Sequence, residues 1–286
     1  MGKRLLIPAL AGIALLAAAV PAQATVTIGS NLATPHADNM PGCNVACTAA
    51  NIILPAANRA PGGLTSPVNG TVTSWRVRAN TGLNLQLRLL RLTGAGAFTG
   101  AGSSNPASFA GPGLSPDFPT SLPISLGDFI GLNSPNGNLV LGNNAGTLMS
   151  FWNVPPLADG ATRVPTGGSG TREVLVQATV EPDNAISFGK LKRNEKKGIA
   201  KLTVELPNPG ELTFSGRRVK VLDGAPTDSM SIGAPGEIRV KIKAKGKKRR
   251  NLNRNGKVKV KPIFTFTPTN GTTSVTPRKL KLVRKR

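Results

Sequence analysis

The sequence has no tyrosine and a single histidine, His36, among its 286 residues. Nucleophilic catalysis needs a base within reach of the nucleophile, and histidine is the residue most often used as that base. His36 lies in a stretch rich in Pro, Asp and Asn, which is typical of a surface loop. The scarcity of histidine therefore argues against hydrolases of the serine or cysteine type.

Other catalytic and ligand-binding motifs are incomplete. GGSGT at 167–171 departs from G-x-S-x-G at its last residue, and Gly94-Ala95-Gly96 lacks the third glycine of a dinucleotide loop. The acids are too scattered for a calcium loop. Asp128 and Glu173 are the remaining candidates for a facing carboxylate pair, although nothing in their spacing brings them together. We predict no enzyme and no cofactor.

Cysteine is also scarce, with Cys43 and Cys47 as its two occurrences, in CNVAC. In an exported protein this spacing favours a local disulfide. The alternative is a metal site with His36, but two thiols and one imidazole leave a tetrahedral ion short of ligands. We predict the disulfide and no metal.

Long apolar runs are missing beyond the first residues. A basic start precedes an apolar run over 5–20, and the small-x-small triplet Ala22-Gln23-Ala24 follows it. This pattern predicts a secretory signal peptide over 1–24. The alternative, a membrane anchor, is disfavoured because the run is shorter than the ~20 residues that a span needs. We expect a secreted protein, extracellular or in the cell envelope, with no membrane span.

Lysine is absent from 25–183, where seven Arg balance seven acids. Residues 184–286 carry 27 Lys and Arg against six acids, a net charge of +21. A step of this size predicts a domain boundary near 182–186. We therefore predict an N-terminal domain over 25–183 and a basic domain over 184–286.

Long amphipathic helices are absent too, and short β-branched runs between turn residues predict an all-β fold. In the first domain, 70–79 and 83–92 are predicted to form a hairpin through a turn at Asn80-Thr81-Gly82, with Val72 on the face opposite Trp75. Residues 93–127 are rich in Gly, Ser and Pro and are interpreted as one long loop, either functional or mobile. About eight strands favour a jelly-roll-like β-sandwich.

The second domain has a clearer pattern, because apolar and charged residues alternate through 199–206, 236–245 and 257–268. Period-two alternation is the signal of half-buried strands. Six or seven short strands in this length predict an immunoglobulin-like sandwich. Pro262, within the last run, suggests a sheet edge or a bulge.

Residues 190–216, KLKRNEKKGIAKLTVELPNPGELTFSG, resemble the lysine-rich C-terminal immunoglobulin-like β-sandwich module of secreted actinobacterial proteins. SPVNGTVTSWRVR at 66–78 and FPTSLPISLGDFIGL at 118–132 are similar to the N-terminal part of such proteins. The resemblance covers most of the chain after the signal peptide. It implies an architecture and carries over no catalytic residues.

The densest positive charge lies in KGKKRRNLNRNG, 245–256, which is interpreted as a basic loop between two strands. Its candidate polyanion-binding residues are Lys245, Lys247, Lys248, Arg249, Arg250 and Arg254. We expect them to bind anionic cell-wall polymers or other extracellular polyanions. The alternative is a solvated basic face without a ligand. Sequence-specific nucleic-acid binding is not expected, because the phenylalanines of this domain fall mostly at core positions.

Two further classes remain. Trp75 or Trp152 could stack on sugar rings, making the first domain a carbohydrate-binding β-sandwich. The parity that Trp75 shares with Val77 and the apolar run around Trp152 favour core positions instead. A purely structural envelope protein, whose sandwiches are spacers, would also suit the composition. The sequence favours a non-enzymatic cell-surface protein with a basic, polyanion-binding second domain.

Overall fold

The computed structural model describes residues 24–37, 43, 45–79, 83–222 and 229–285. The predicted signal peptide, apart from Ala24, and the predicted turn at 80–82 lie outside these residues. Within the described part of the chain there are 26 strands and one α-helix. The predicted all-β class is therefore confirmed. No helix in the described ranges is both long and apolar enough to cross a membrane.

The first domain consists of two larger sheets and one small sheet. One sheet has the order β1-β16-β4, with β8 and β9 also beside β4, and an eight-stranded sheet has the order β13-β6-β5-β10-β3-β12-β14, with β7 beside β5. The small sheet is β15-β11-β2. The strands are β1 (Val26–Gly29), β2 (His36–Ala37), β3 (Cys47–Ile53), β4 (Gly70–Ala79), β5 (Leu83–Leu92), β6 (Phe98–Ser103), β7 (Ala107–Phe109), β8 (Gly113–Leu114), β9 (Phe118–Ile124), β10 (Phe129–Ser134), β11 (Leu141–Asn143), β12 (Leu148–Asn153), β13 (Thr162–Arg163), β14 (Gly167–Ser169), β15 (Arg172–Val174) and β16 (Val176–Pro182).

The predicted hairpin between β4 and β5 is wrong. Strand β4 pairs with β16, β8 and β9, whereas β5 pairs with β6, β7 and β10 in the other large sheet. Residues from both strands, including Trp75, Val77, Leu87 and Leu89, belong to one buried cluster. Two consecutive strands that each bury an apolar face can thus contribute to opposite sheets around a shared core instead of pairing edge to edge.

The predicted separation of Val72 and Trp75 onto opposite faces is also wrong. In the pairing of β4 with β16, Ser74 faces Thr179 but Val72 faces Val180, so Thr73 is an extra residue. A β-bulge of this kind shifts the alternation by one residue. Val72 and Trp75 are consequently both buried in the same cluster, although they are three residues apart.

The segment 93–127, predicted as one loop, contains four complete strands, β6 to β9. Its glycines and prolines have local causes. A Cβ at Gly100 would lie 2.3 Å from the carbonyl oxygen of Ala158, so glycine lets these two backbones approach closely. Strand β9, which holds Pro119 and Pro123, pairs with β4 alone and is an edge strand, where missing N–H donors are tolerated.

The second domain has two four-stranded sheets, β17-β18-β22-β20 and β21-β19-β24-β25, and a two-stranded ribbon of β23 and β26. The alternation predicted for 199–206 is confirmed, because Ala200, Leu202, Val204 and Leu206 are buried. The elements are β17 (Ser187–Asn194), β18 (Ile199–Leu206), β19 (Gly210–Ser215), β20 (Val219–Leu222), β21 (Ser229–Ile232), β22 (Gly236–Ala244), α1 (Gly246–Asn255), β23 (Lys257–Val260), β24 (Ile263–Pro268), β25 (Ser274–Pro277) and β26 (Leu280–Val283).

The run 257–268, predicted as one strand, is divided at Pro262. Strand β23 ends at Val260 and pairs with β26, whereas β24 begins at Ile263 and pairs with β19 and β25. Proline lacks the N–H that an uninterrupted ladder would use, and here the chain passes from the ribbon to a sheet.

The segment 245–256, predicted as a loop, is mostly the helix α1. Lysine and arginine are good helix formers, so a segment this rich in them can form a helix as well as a charged loop. Leu252 is the buried residue of the helix and joins the second domain's core. Gly256 ends the helix in a left-handed conformation, with its N–H donating to the Leu252 carbonyl.

The hydrophobic cores divide where the charge changes, since the buried clusters contain residues either up to Val180 or from Ala200 onward. Between them, the buried side chain of Asn208 bridges the two domains. Its Oδ1 accepts from the Asn69 N–H at 2.7 Å, and its Nδ2 donates to the carbonyls of Asn69 and Asp183 at 2.8 and 2.7 Å. The Asn69 Nδ2 in turn donates a hydrogen bond to the Pro207 carbonyl.

Candidate anion-binding groove

Lysines stand directly opposite one another on neighbouring strands of the second domain. Lys201 of β18 faces Lys192 on one side and Lys241 on the other. Lys259 of β23 faces Lys281 of β26. Directly opposed like charges destabilise a sheet. Within the described residues of this domain we find one ion pair, between Lys285 and Glu195 at 3.3 Å, so acidic side chains do little to offset the repulsion.

A groove of about 860 Å³ lies where the ribbon of β23 and β26 meets helix α1 and the turn after β19. Its charged lining residues are all cations: Arg217, Arg218, Lys248, Lys259, Lys261, Lys279 and Lys281. Its apolar lining residues are Val260, Ile263 and Leu280. We call this feature the cationic groove. It concentrates more positive charge than any single strand could present.

The turn between β19 and β20 positions two of these cations. Arg218 has a φ of 60°, in the left-handed backbone region that residues other than Gly and Asn rarely adopt. Its carbonyl accepts from the Lys245 N–H at 2.8 Å, which ties the turn to the start of α1. The turn thus holds Arg218 in a strained conformation beside the start of the helix.

Helix α1 closes one side of the cationic groove. The Lys248 ammonium donates to the Lys259 carbonyl at 2.9 Å, which links the helix to β23. The helix begins after Lys245 without a side-chain cap, and its first turn has no acidic residue. Cations therefore stand at the positive end of the helix dipole, which adds to the local positive potential.

The six residues predicted to bind polyanions are distributed around α1. Lys248 lines the cationic groove, Arg249 lines a smaller pocket on another side of the helix with Lys196, Lys197, Lys243 and Arg284, and Lys245 lines a third pocket. Lys247, Arg250 and Arg254 are exposed on the helix. The predicted patch thus forms one boundary of a larger basic surface.

Sequence reasoning missed six of the seven groove cations. Alternation placed Lys259 and Lys261 on an outward face, but only the pairing of β23 with β26 brings Lys281 opposite Lys259. Arg217 and Arg218 follow a strand end, and no local pattern connects them with Lys279 more than 60 residues later. The only signal in the sequence was the excess of cations itself.

The two tryptophans are core residues. Trp75 is 1% exposed and packs against Phe118, with ring centroids 4.7 Å apart. Trp152 is fully buried, donates from Nε1 to the Arg163 carbonyl at 3.3 Å, and packs edge-on against Phe98. A sugar needs an open ring face, so this burial contradicts the predicted stacking role of Trp75 and Trp152.

The two carboxylates considered for catalysis have separate structural partners. Asp128 is buried and accepts from Nε and Nη2 of Arg91, both at 2.8 Å, which raises the pKa of Arg91. Glu173 is fully buried and accepts from Ser30, Thr34 and Asn144 at 2.6 to 2.7 Å. These bonds occupy both carboxylates, and the two groups share no hydrogen-bond partner among the described residues.

The predicted disulfide between Cys43 and Cys47 is confirmed. His36, proposed in the alternative as a third metal ligand, lies in β2, where it pairs with Gly142 of β11. Within the described ranges, no group of three or more His, Cys, Asp or Glu residues could hold a metal ion. The thiols are thus committed to a covalent bond.

No protein-family model matches this chain, and a comparison with curated proteins finds no match either.

Proposed function

We propose that this is a secreted, non-enzymatic cell-surface or extracellular protein whose basic second domain associates with anionic wall polymers or other extracellular polyanions. The observation that supports this most strongly is the set of opposed lysines, above all Lys259 with Lys281. A chain that places like charges face to face, with few acids to offset them, is stabilised by any ligand that brings in negative charge.

A phosphate polymer suits this surface because its charges repeat along a flexible backbone. Each contact between an exposed lysine and a phosphate contributes little alone, since water and salt screen it. Many such contacts add up through the release of counterions, so the affinity falls steeply as salt is raised.

The charge is segregated along the sheet β17-β18-β22-β20, which we call the outer sheet. At the end of β18 that leads into the Asn208 bridge, Glu205 faces Glu237, whereas Lys201 lies four residues earlier in the same strand. The lysines thus lie toward the end of the sheet remote from the first domain. A polymer bound there would leave the neutral first domain available for other contacts.

Export is supported by the basic and apolar pattern over 1–24 and by the disulfide, a bond that persists in oxidising compartments. We also propose that the second domain is immunoglobulin-like. Its sheet orders β17-β18-β22-β20 and β19-β24-β25 resemble the A-B-E-D and C-F-G orders of that fold, with β21 and the ribbon as additions.

The test is binding of the purified protein to immobilised poly(glycerol phosphate) across a salt series. The matched variant replaces Lys247, Lys248, Arg249 and Arg250 by Gln, which keeps helix propensity and removes four charges. We expect steep salt dependence for the wild type, and a slope reduced by roughly 0.7 for each phosphate that the variant no longer neutralises. Neutral dextran is the control polymer. Binding to dextran that equals binding to the phosphate polymer would reject the proposal in favour of a carbohydrate-binding sandwich.

A further inference from the structure

The cationic groove differs from the flat basic faces of the domain in one respect. Its charged residues are all positive, yet most of its exposed lining is apolar. Among the apolar residues, half-buried Ile263 contributes most of this surface, because Val260 and Leu280 are only 4% and 8% exposed. Lysine side chains add to such a lining, because their alkyl stems cover apolar surface while the ammonium group stays in water.

A hydrated phosphate polymer makes no use of an apolar lining. The volume of about 860 Å³ lies within the range of roughly 300–1,000 Å³ typical of sites for discrete small ligands. The combination of apolar lining and unopposed cations is complementary to a molecule with one alkyl part and one anionic part.

We propose that the cationic groove binds an anionic amphiphile, an alkyl chain that ends in a phosphate or a carboxylate. This deepens the proposed function, on which it rests, by naming a ligand class for one part of the basic surface. The alkyl chain lies against Ile263 and the alkyl stems of the groove cations, and the head group is held by their charged ends. In the wall, such a group is the lipid end of an anchored anionic polymer or a free lipid phosphate, which share this chemistry.

The contribution of Lys259 and Lys281 to ligand binding can be distinguished from a general effect of the protein's net charge. The domain contains a second opposed pair, Lys192 and Lys201, on the outer sheet and outside the groove. A double Lys→Gln substitution at either pair removes two charges and one opposed pair, and at 192 and 201 it also removes the repulsion between Lys201 and Lys241. Only the substitution at 259 and 281 is expected to lower the affinity for the amphiphile.

The experiment is calorimetric titration of the whole protein with dodecyl phosphate below its micelle concentration, beside inorganic phosphate and neutral dodecyl maltoside. We expect dodecyl phosphate to bind at least about tenfold more tightly than either comparison ligand, since it alone satisfies both parts of the groove. K259Q/K281Q should lose most of this affinity, and K192Q/K201Q should keep it. Ile263→Thr should weaken dodecyl phosphate without changing inorganic phosphate.

Different failures have different meanings. If inorganic phosphate binds as tightly as dodecyl phosphate, the proposed role of the alkyl chain is wrong. If dodecyl maltoside binds as tightly, the proposed role of the anionic head group is wrong. If dodecyl phosphate fails to bind while both lysine variants weaken poly(glycerol phosphate) equally, the groove proposal is wrong and the proposed function stands. Binding of dodecyl phosphate without binding of the polymer would support the groove and reject the polymer.

Discussion

Lys259 and Lys281 face each other directly across the ribbon of β23 and β26, beside the opposed pair of Val260 and Leu280. One neighbouring pair thus buries apolar surface while the other brings two positive charges together. The apolar pair stabilises the ribbon, and the repulsion within the cationic pair destabilises it. A negative ligand between the ammonium groups would convert a source of repulsion into a binding site.

Lys259→Glu should stabilise the protein and impair the groove. An opposite-charge pair with Lys281 is favourable by about 0.2–1 kcal/mol where the like-charge pair is unfavourable. Urea unfolding at low salt should show the gain, and high salt should reduce it. Lys201→Glu is the control, because it relieves the repulsion in the outer sheet and leaves the groove intact. A loss of stability in Lys259→Glu would contradict the assigned register.

Arg218→Asn should leave stability unchanged or raise it while lowering the affinity for anions. A left-handed backbone costs roughly 1–2 kcal/mol for an ordinary side chain, and asparagine tolerates it better. Thermal unfolding measures the first effect, and polymer binding measures the second. Arg218→Lys, which keeps the charge, should retain binding. Unchanged binding in Arg218→Asn would mean that this arginine serves no ligand.

Asn208→Ala should destabilise the protein by about 1–3 kcal/mol. It removes the partly buried bonds to the Asn69 N–H and the Asp183 carbonyl, whereas the Asn69 carbonyl still accepts from the Asp183 N–H at 2.9 Å. Chemical denaturation followed by two probes, tryptophan fluorescence for the first domain and circular dichroism for both, should show the transitions separating. Asn255→Ala, at an exposed position, should change stability by less than about 0.5 kcal/mol. Coincident transitions in Asn208→Ala would contradict the bridging role.

Asp128→Ala should unfold more easily because Asp128 is a structural residue. Its buried carboxylate accepts from Arg91 and from the Ser125 N–H, and its removal leaves that N–H without a partner. We expect a loss of about 2 kcal/mol, below the value for a fully buried pair because Arg91 is half exposed. Asp117→Ala is the exposed control. Stability equal to that of the wild type would reopen the question of what this carboxylate does.

The second domain was more predictable than the first, and the reason is physical. Strand β18 has one face on the core and one in water, so Ala200, Leu202 and Val204 alternate with charged or polar residues and reveal the strand. The Gly100 strand instead lies against another backbone, where small residues are required and alternation is lost. Neither the bulge at Thr73 nor the pairing partners of β4 leave a local mark, because both depend on distant strands.

The sequence predicts that the candidate site is basic, but it does not predict which cations come together. The density of charge in 245–256 indicated a basic surface, and the helix that forms there brings Lys248 to the groove. Arg218 and Lys279 could not be placed beside it, because their proximity is set by the order of strands in three separate sheets. Period and composition carry no information about such long-range pairing.

Binding of the whole protein to isolated bacterial wall, before and after acid extraction of its anionic polymers, tests the central claim most directly. The account predicts strong binding to the intact wall, weakened steeply by salt, and a loss of most binding once the phosphate-bearing polymers are removed. Equal binding to the intact and the extracted wall, insensitive to salt, would contradict it and would leave the lysines of the second domain as a solvated face.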